Sequence, residues 1–165
     1  MHRRRGHGRD AFTLIELVIV IVIMAILSTL AVVSLRGTMD RYLISQAAET
    51  VERFDARARR DASRMRQPIR AAIDRNRKRL TIDTPGPGNA KYHLLNRVEI
   101  GKVRLSRRVT VGNQFKIQFS REGASPTYAV ELRRGEMSQW LLVLGTSGQI
   151  VPLRNEGEVD AILSL

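Results

Sequence analysis

Hydrophobic residues fill the first part of the chain almost without interruption. Between residues 12 and 33 the polar side chains are Thr13, Glu16, Ser28 and Thr29. About 20 residues of helix, rising about 1.5 Å each, cross a hydrocarbon core of about 30 Å. Because lipid offers no partner for backbone amides and carbonyls, such a segment is helical despite its many Ile and Val residues. The pattern predicts a transmembrane helix over residues 12–35.

A one-sided apolar stripe follows this segment. Between residues 41 and 66, apolar side chains recur every three or four positions, which is the spacing of one face of a helix. The stripe consists of Leu43, Ala47, Val51, Phe54, Ala58, Ala62 and Met65. Pro68 disfavours helical angles at the residue before it, so we expect the helix to end near Gln67. The sequence thus predicts that residues 36–67 continue the first helix as an amphipathic segment.

After Pro68 the pattern changes to short runs rich in apolar and β-branched residues. We predict strands over residues 69–74, 80–82, 98–105, 109–111, 115–119, 128–132, 140–144 and 150–153. Turn-forming residues separate many of these runs. An antiparallel sheet packed against the apolar stripe is the simplest way to bury both. The predicted fold class is α+β: one long N-terminal helix, transmembrane in its first half, packed against a β-rich globular domain over residues 68–165.

The charges before the apolar segment predict its orientation. Residues 1–11 carry four arginines against one aspartate, a net charge of +3. Short basic flanks of a span stay in the cytoplasm. We therefore expect a cytoplasmic N-terminus and a C-terminal domain on the other side of the membrane. A secretory signal peptide would have a shorter apolar region followed by a small-residue cleavage site, so we favour an anchor.

The junction between the basic and apolar segments has a specific sequence. Residues 11–17 read Ala-Phe-Thr-Leu-Ile-Glu-Leu. This run resembles the leader-cleavage motif of type IV prepilins and type II secretion pseudopilins, which has a small residue, then Phe, then Glu as the fifth mature residue. The resemblance implies that prepilin peptidase removes residues 1–11 as a basic leader by cutting between Ala11 and Phe12, and then methylates the amine of Phe12. Gly usually precedes the cut, so Ala11 is a mild departure, and Asp10 is less typical than a basic residue.

Glu16 places a carboxylate where the predicted span begins. On insertion scales a charge inside a span costs roughly 2.5 to 3.5 kcal/mol, so such a residue points to a function. Cleavage before Phe12 creates a cationic amine, and residues four apart share one face of a helix. The resemblance implies that Glu16 contacts this amine on an adjacent subunit and sets the register of a growing filament. The alternative is an acid that snorkels to the interface in a simple signal anchor.

The C-terminal domain carries a looser resemblance. Residues 58–62, 67–69, 128–132, 140–143 and 146–150 are similar to segments of the H-type minor pseudopilins and of the FimT and FimU minor pilins. In those proteins a helix that ends in an Arg-and-Ala pattern enters a strand, and a closing hairpin carries a Thr-x-Gly turn. The resemblance implies a type IV pilin-like fold with a single inner-membrane span and a periplasmic domain.

Three functions follow from these observations. We favour a minor pseudopilin, a structural subunit that assembles with other pseudopilins through its N-terminal helix and supports protein export by type II secretion. The second is a minor pilin of a true type IV pilus or of a DNA-uptake machine. The third is a protein with one membrane span whose external domain binds an unrelated partner.

Positive charge is concentrated where the helix meets the sheet domain. The chain has a net charge of +12, and residues 53–79 hold eleven Arg or Lys against three Asp. The residues of this predicted contact surface are Arg57, Arg60, Arg64, Arg75, Arg77, Lys78 and Arg79. Such a surface could bind the phosphates of DNA. Few aromatic residues and no recognition motif accompany it, so we favour a solvated face or a contact with acidic neighbouring subunits.

The sequence offers little for enzyme chemistry. It contains no cysteine, which excludes a thiol nucleophile, a disulfide and a cysteine metal site. His2 and His7 fall in the predicted leader, which leaves His93 without a second imidazole for a metal site or a triad. We expect a structural protein with no catalytic residues, no metal and no cofactor.

Overall fold

The computed structural model describes residues 13–84, 89–94, 97–105, 108–110 and 112–163, without the side chains of residues 31–36 and 108–110. The predicted leader and the cleavage and methylation site at Ala11 and Phe12 lie outside the described residues. The chain divides into two compact units, Met1–Met39 and Asp40–Leu165.

The first helix, α1, spans Leu14–Met65. It begins at a capping residue, because the Thr13 hydroxyl accepts a hydrogen bond from the Glu16 backbone N–H at 3.3 Å. Thr13-x-x-Glu16 therefore has the sequence of a capping box, in which a hydroxyl replaces the missing helical acceptor. The helix ends two residues earlier than predicted, because Arg66 adopts a left-handed conformation with φ of 50°. Pro68 follows and cannot continue the helix.

Nine strands follow the helix in the described part of the chain. They are β1 (Ile69–Asp74), β2 (Arg79–Asp83), β3 (Ala90–His93), β4 (Glu99–Leu105), β5 (Arg108–Thr110), β6 (Gln114–Phe119), β7 (Tyr128–Arg134), β8 (Met137–Val143) and β9 (Ile150–Leu153). All eight predicted strands are confirmed to within three residues at each end. The prediction missed β3, an edge strand whose four residues are half-buried or exposed and show no apolar run.

The strands form two antiparallel sheets, so the prediction of a single sheet is wrong. The first sheet has four strands in the order β3-β2-β1-β6, and the second has five in the order β5-β4-β7-β8-β9. The chain leaves the first sheet after β3, forms β4 and β5, and returns to add β6 beside β1. Alternation of apolar and polar residues predicts a strand but not its neighbour, which is why the division into two sheets could not be predicted.

A second helix, α2 (Glu156–Leu163), closes the domain and was not predicted. The Asn155 side chain caps it by accepting a hydrogen bond from the Glu158 backbone N–H at 2.9 Å. Val159 and Leu163 are buried in a small cluster with Trp140 of β8. With only two turns and two buried side chains, α2 is too short to show a clear helical period in the sequence.

The main core lies between the C-terminal part of α1 and the two sheets. The stripe residues Ala47, Val51, Phe54, Ala58 and Ala62 are buried in it. Around them pack Ile69, Ile73, Leu80, Phe119, Tyr128 and Leu132. This arrangement confirms the predicted α+β class, with a long N-terminal helix packed against antiparallel sheet.

The stripe differs from the prediction at its two ends. Ile44 is 3% exposed and takes the core position, while Leu43 is half-buried at its edge. Met65 is 41% exposed because it is the last residue of α1, where the chain turns toward β1.

Candidate functional site

The first part of α1 presents apolar surface on every side. Each large apolar side chain among residues 14–30 is at least 45% exposed. Because successive helical residues are about 100° apart, the unbroken apolar run over residues 17–27 covers the whole circumference. A helix that is apolar all round is ordinarily buried in a larger protein or in a membrane. This surface is therefore suited to burial against a partner or lipid.

The hydroxyl groups of this segment are satisfied within the helix. The Ser28 hydroxyl donates a hydrogen bond to the Met24 carbonyl at 2.7 Å, and the Thr29 hydroxyl donates to the Ala25 carbonyl at 2.9 Å. Backbonding of this kind removes the cost of taking a hydroxyl away from water. Glu16, in contrast, is an exposed carboxylate in the first turn. It lies at the positive end of the helix dipole, which favours a negative charge.

Among the described residues, no helix meets the combined length and hydropathy expected of a membrane-crossing segment. Residue 12 and the side chains of residues 31–35, which belong to the predicted span, lie outside the described part of the chain.

The seven residues of the predicted basic contact surface lie on two elements. Arg57, Arg60 and Arg64 are on α1, and Arg75, Arg77, Lys78 and Arg79 are at the hairpin between β1 and β2. Several are already engaged within the chain. Arg57 pairs with Asp61 at 3.4 Å, Arg77 with Asp74 at 4.0 Å and Lys78 with Glu99 at 3.7 Å. That they form one contact surface stays a prediction.

Arg59 makes the densest polar contacts of the described domain. Its Nε donates to the Asp55 carboxylate one helical turn earlier, at 2.5 Å. Its Nη1 donates to the carbonyls of Gly123 and Gly145 at 2.9 and 2.7 Å. Its Nη2 donates to the Ser125 hydroxyl at 2.9 Å and the Leu144 carbonyl at 3.3 Å. One guanidinium thus joins α1 to the loop before β7 and to the loop after β8.

Asp55 is the counter-ion of Arg59 and is 1% exposed. Its carboxylate also accepts a hydrogen bond from the Tyr128 hydroxyl of β7 at 2.9 Å. The Arg59 guanidinium lies 5.5 Å from the centre of the Phe119 ring, within the range of a cation–π contact. A buried carboxylate is costly unless it is paired and hydrogen-bonded, so Asp55 depends on both Arg59 and Tyr128.

The Arg59 side chain lies close to the backbone of Gly148, where there is no room for a larger residue. Gly148 has φ of 73°, and a Cβ there would lie 2.8 Å from Arg59 Nε. Gly148 is also the glycine of the Thr-x-Gly turn that resembles the minor pseudopilins and minor pilins, and Arg59 belongs to the Arg-and-Ala pattern of the same resemblance. The structure therefore brings residues 58–62 and 146–150 together. The role of Arg59 and the partners Asp55 and Tyr128 were not predicted, although opposite charges four apart beside the apolar stripe were a usable signal.

The network is suited to holding the domain together rather than to catalysis. The donors of Arg59 are used by internal acceptors, and the one carboxylate involved is bound on both oxygens. In the described ranges, no three His, Cys, Asp or Glu side chains are grouped so as to hold a metal ion.

Tyr128 makes the stability of the domain sensitive to alkaline pH. Burial, followed by the nearby Asp55 charge, raises the pKa of Tyr128 well above its ordinary value of 10.0. Above pH 10 the unfolded chain loses this proton and the folded one keeps it, so stability falls as pH rises toward the folded-state pKa. We expect a loss of up to about 1.4 kcal/mol per pH unit from this group.

Urea titrations at pH 8, 10 and 11, followed by Trp140 fluorescence, measure this effect. Tyr128→Phe should lower stability by about 1 kcal/mol at pH 8, and its deficit should shrink above pH 10 because Phe does not ionise. Tyr42→Phe, at a tyrosine that is 58% exposed, is the matched control and should follow the parent protein. A constant deficit for Tyr128→Phe at all three pH values would contradict the argument.

Comparison with known proteins adds a family motif and a structural likeness. Residues 7–32 match the prokaryotic N-terminal methylation motif, and this range includes Ala11, Phe12 and Glu16. No curated protein sequence matches the chain significantly. Among solved structures, the fold is similar to the minor pseudopilin EpsH from the type 2 secretion system of Vibrio cholerae, at 10% sequence identity and a TM-score of 0.49. That match covers 67% of this chain and 95% of EpsH. The predicted motif is thus confirmed: the chain carries the prokaryotic N-terminal methylation motif of type IV pilin leaders, and the long helix that begins within this motif packs against antiparallel sheets in its C-terminal part.

Proposed function

We propose that this protein is a minor pseudopilin, a non-enzymatic structural subunit that assembles through its N-terminal helix into the pseudopilus of a type II secretion system. The observation that carries the proposal is the methylation motif over residues 7–32. The part of α1 that lies within the motif exposes apolar side chains on all its faces. Such a surface is soluble in lipid before assembly and can pack against other helices within a filament.

The proposal has three steps. Residues 1–11 hold the N-terminus in the cytoplasm, and residues 12–35 anchor the subunit in the inner membrane with its domain in the periplasm. Prepilin peptidase cuts between Ala11 and Phe12 and methylates the new amine. Glu16 then pairs with the amine of an adjacent subunit and guides extraction of the helix into the filament, because in a low dielectric opposite charges attract strongly.

A minor pilin of a type IV pilus is the second candidate, because the same motif serves both systems. The two differ in the machine that the subunit joins. Expression of the chain in strains that lack either the secretion pseudopilins or the pilus pilins separates them. Incorporation that requires the secretion pseudopilins supports the first function, and incorporation that requires the pilins supports the second.

Leader removal tests what both candidates share. After co-expression with a prepilin peptidase, mass spectrometry of the purified chain should show that it begins at Phe12 and carries a methyl group on that amine. Ala11→Leu places a bulky side chain before the cut and should leave the leader attached. A chain that keeps residues 1–11 in the presence of an active peptidase would defeat both filament functions.

Ala11 also provides a graded prediction. Because Gly is the usual residue before the cut, Ala11→Gly should be processed faster than the parent protein, by roughly a few-fold. A pulse-chase experiment that follows the shift from precursor to mature chain measures the rate. Ala11→Ser, which keeps a small side chain without restoring Gly, is the control and should stay near the parent rate. Equal rates for Ala11→Gly and the parent would show that Ala11 does not limit cleavage.

A further inference from the structure

The outer face of the four-stranded sheet carries a basic depression of about 350 Å³. We call it the sheet pocket. Its cations come from all four strands, and its main lining residues are Arg70, Ala72, Arg79, Thr81, Lys91 and Lys116. Side chains alternate between the faces of a strand, so these residues point away from the core, into which Ala71 and Ile73 are packed. Of the predicted contact residues, the pocket includes Arg79.

Strand register explains why the cations surround one point. Ala72 of β1 lies opposite Thr81 of β2, and these two small residues form the centre. Lys91 continues the same row beyond Thr81, and Lys116 continues it beyond Ala72. With neighbouring strands about 4.8 Å apart, the two lysine backbones stand on opposite sides of the centre.

The two arginines complete the ring. On this face of the sheet, Arg70 precedes Ala72 by two residues and Arg79 precedes Thr81 by two. Because β1 and β2 are antiparallel, these offsets point in opposite directions. The arginines therefore stand one row to either side of the central pair. Four cations surround a floor formed by Ala72 and Thr81.

These charges lack partners within the described chain. Among the described residues, none of the four cations forms an ion pair with a carboxylate. Asp83, which also lines the pocket, stands opposite Arg70 in the strand register, and Asp74, which pairs with Arg77, stands opposite Arg79. The Arg79 Nε is buried and has no hydrogen-bond acceptor there. A buried donor without an acceptor needs an explanation, and so does a cluster of like charges. Both are resolved if an anionic group occupies the sheet pocket.

We propose that the sheet pocket docks the carboxylate side chains of an acidic segment on a neighbouring protein subunit. The inference rests on the proposed function as an assembly subunit. Each of the two guanidinium groups can bind a carboxylate with two parallel hydrogen bonds, and the lysines add charge from the sides. A second copy of this chain is a poor partner, because each copy carries a net charge of +12, or +9 once the +3 of residues 1–11 is removed. The partner is therefore a different, acidic chain.

Nucleic acid fits the sheet pocket less well. Surfaces that bind single strands follow the backbone with a positive groove and stack bases on aromatic side chains. Here the cations converge on one depression, and the described residues that line it include no aromatic side chain. The geometry suits a compact group of carboxylates rather than a line of phosphates.

Binding of a labelled acidic peptide tests the proposal on the full-length protein in a zwitterionic detergent. The probe is a fluorescent peptide of alternating Glu and Gly, and its matched partner has Gln in place of Glu. Fluorescence anisotropy should show binding of the Glu peptide and much weaker binding of the Gln peptide. Arg79→Gln and Lys116→Gln should each lower the affinity for the Glu peptide by roughly tenfold. Arg121→Gln, at a loop arginine whose side chain is 73% exposed, should not change it.

Four results overturn the proposal. One is an equal affinity for the Glu and Gln peptides, and another is an affinity that the two pocket variants leave unchanged while Trp140 fluorescence shows that they are folded. The third is tighter binding of a single-stranded oligonucleotide that the same variants abolish, which would assign the pocket to nucleic acid. The fourth is displacement of the peptide by equimolar inorganic phosphate, which would make it a small-anion site.

The outcome can be separated from that of the proposed function. A protein that binds the Glu peptide through Arg79 and Lys116 but keeps its leader would support the sheet pocket and defeat the filament proposal. A subunit that is processed and assembled but does not bind the peptide would support the filament proposal and defeat the sheet pocket.

Discussion

Replacement of Arg59 by alanine is expected to lower the free energy of unfolding by about 3 to 5 kcal/mol. The variant leaves the Asp55 carboxylate, which is 1% exposed, without its counter-ion. It also removes the donors that reach the Gly123 and Gly145 carbonyls. Because a typical domain is stable by only about 5 to 15 kcal/mol, much of the variant should be unfolded or degraded at growth temperature.

Urea unfolding followed by Trp140 fluorescence measures this loss, since Trp140 is 2% exposed in the folded domain. Arg53→Ala is the matched control: it is on the same helix and pairs with Glu49 four residues away, but its side chain is 75% exposed. It should change stability by no more than about 0.5 kcal/mol.

A second variant separates the buried pair from simple loss of packing. Combining Asp55→Ala with Arg59→Ala removes both charges, so the double variant should lose clearly less than the sum of the single variants. If Arg59→Ala and Arg53→Ala had equal effects, or if the double variant were strictly additive, Arg59 would not hold the domain in the way that the contacts indicate.

Local periodicity was enough to predict the long helix and eight of the nine described strands, but not β3 or α2. Helical spacing from residue 43 onward placed Val51 and Phe54 in the core, and alternating runs located the strands. Both patterns depend only on which face of a single segment is buried. They can therefore be recognised without knowing which other segment packs against that face. The capping box Thr13-x-x-Glu16 was not predicted, although its spacing of three residues is a local signal of the same kind.

Contacts between distant segments could not be predicted in the same way. Arg59 meets Gly123 and Gly145, which are 64 and 86 residues away. The sheet pocket likewise depends on strand pairing across the β1–β2 hairpin: β3 places Lys91 beside β2, and β6 places Lys116 beside β1. Positive charge in the sequence indicated a basic contact surface, but only strand order decides which cations converge. This is why Arg79 alone of the seven predicted residues lines the pocket, while its other cations, Arg70, Lys91 and Lys116, were not predicted.

Glu16→Ala is expected to reduce incorporation into filaments by roughly 10- to 100-fold, while membrane insertion and leader cleavage continue. The proposed pair joins the carboxylate to the amine of a neighbouring Phe12, and an interaction between charged, hydrogen-bonded groups contributes about 1.5 to 3 kcal/mol. The helix start should survive the change, because Thr13 is bonded to the backbone N–H of residue 16 rather than to its side chain.

The amount of subunit in sheared filaments, relative to the amount of mature subunit in the membrane, measures this effect. Glu49→Ala removes an exposed carboxylate from the same helix, and it should assemble normally. Glu16→Gln keeps the length and a hydrogen-bonding group but loses the charge, so it should also assemble poorly if attraction to a cationic amine is what matters. Normal assembly of Glu16→Ala would defeat the proposed pair. If Glu16→Gln assembled normally while Glu16→Ala did not, the contact with the amine would need a hydrogen bond but no negative charge.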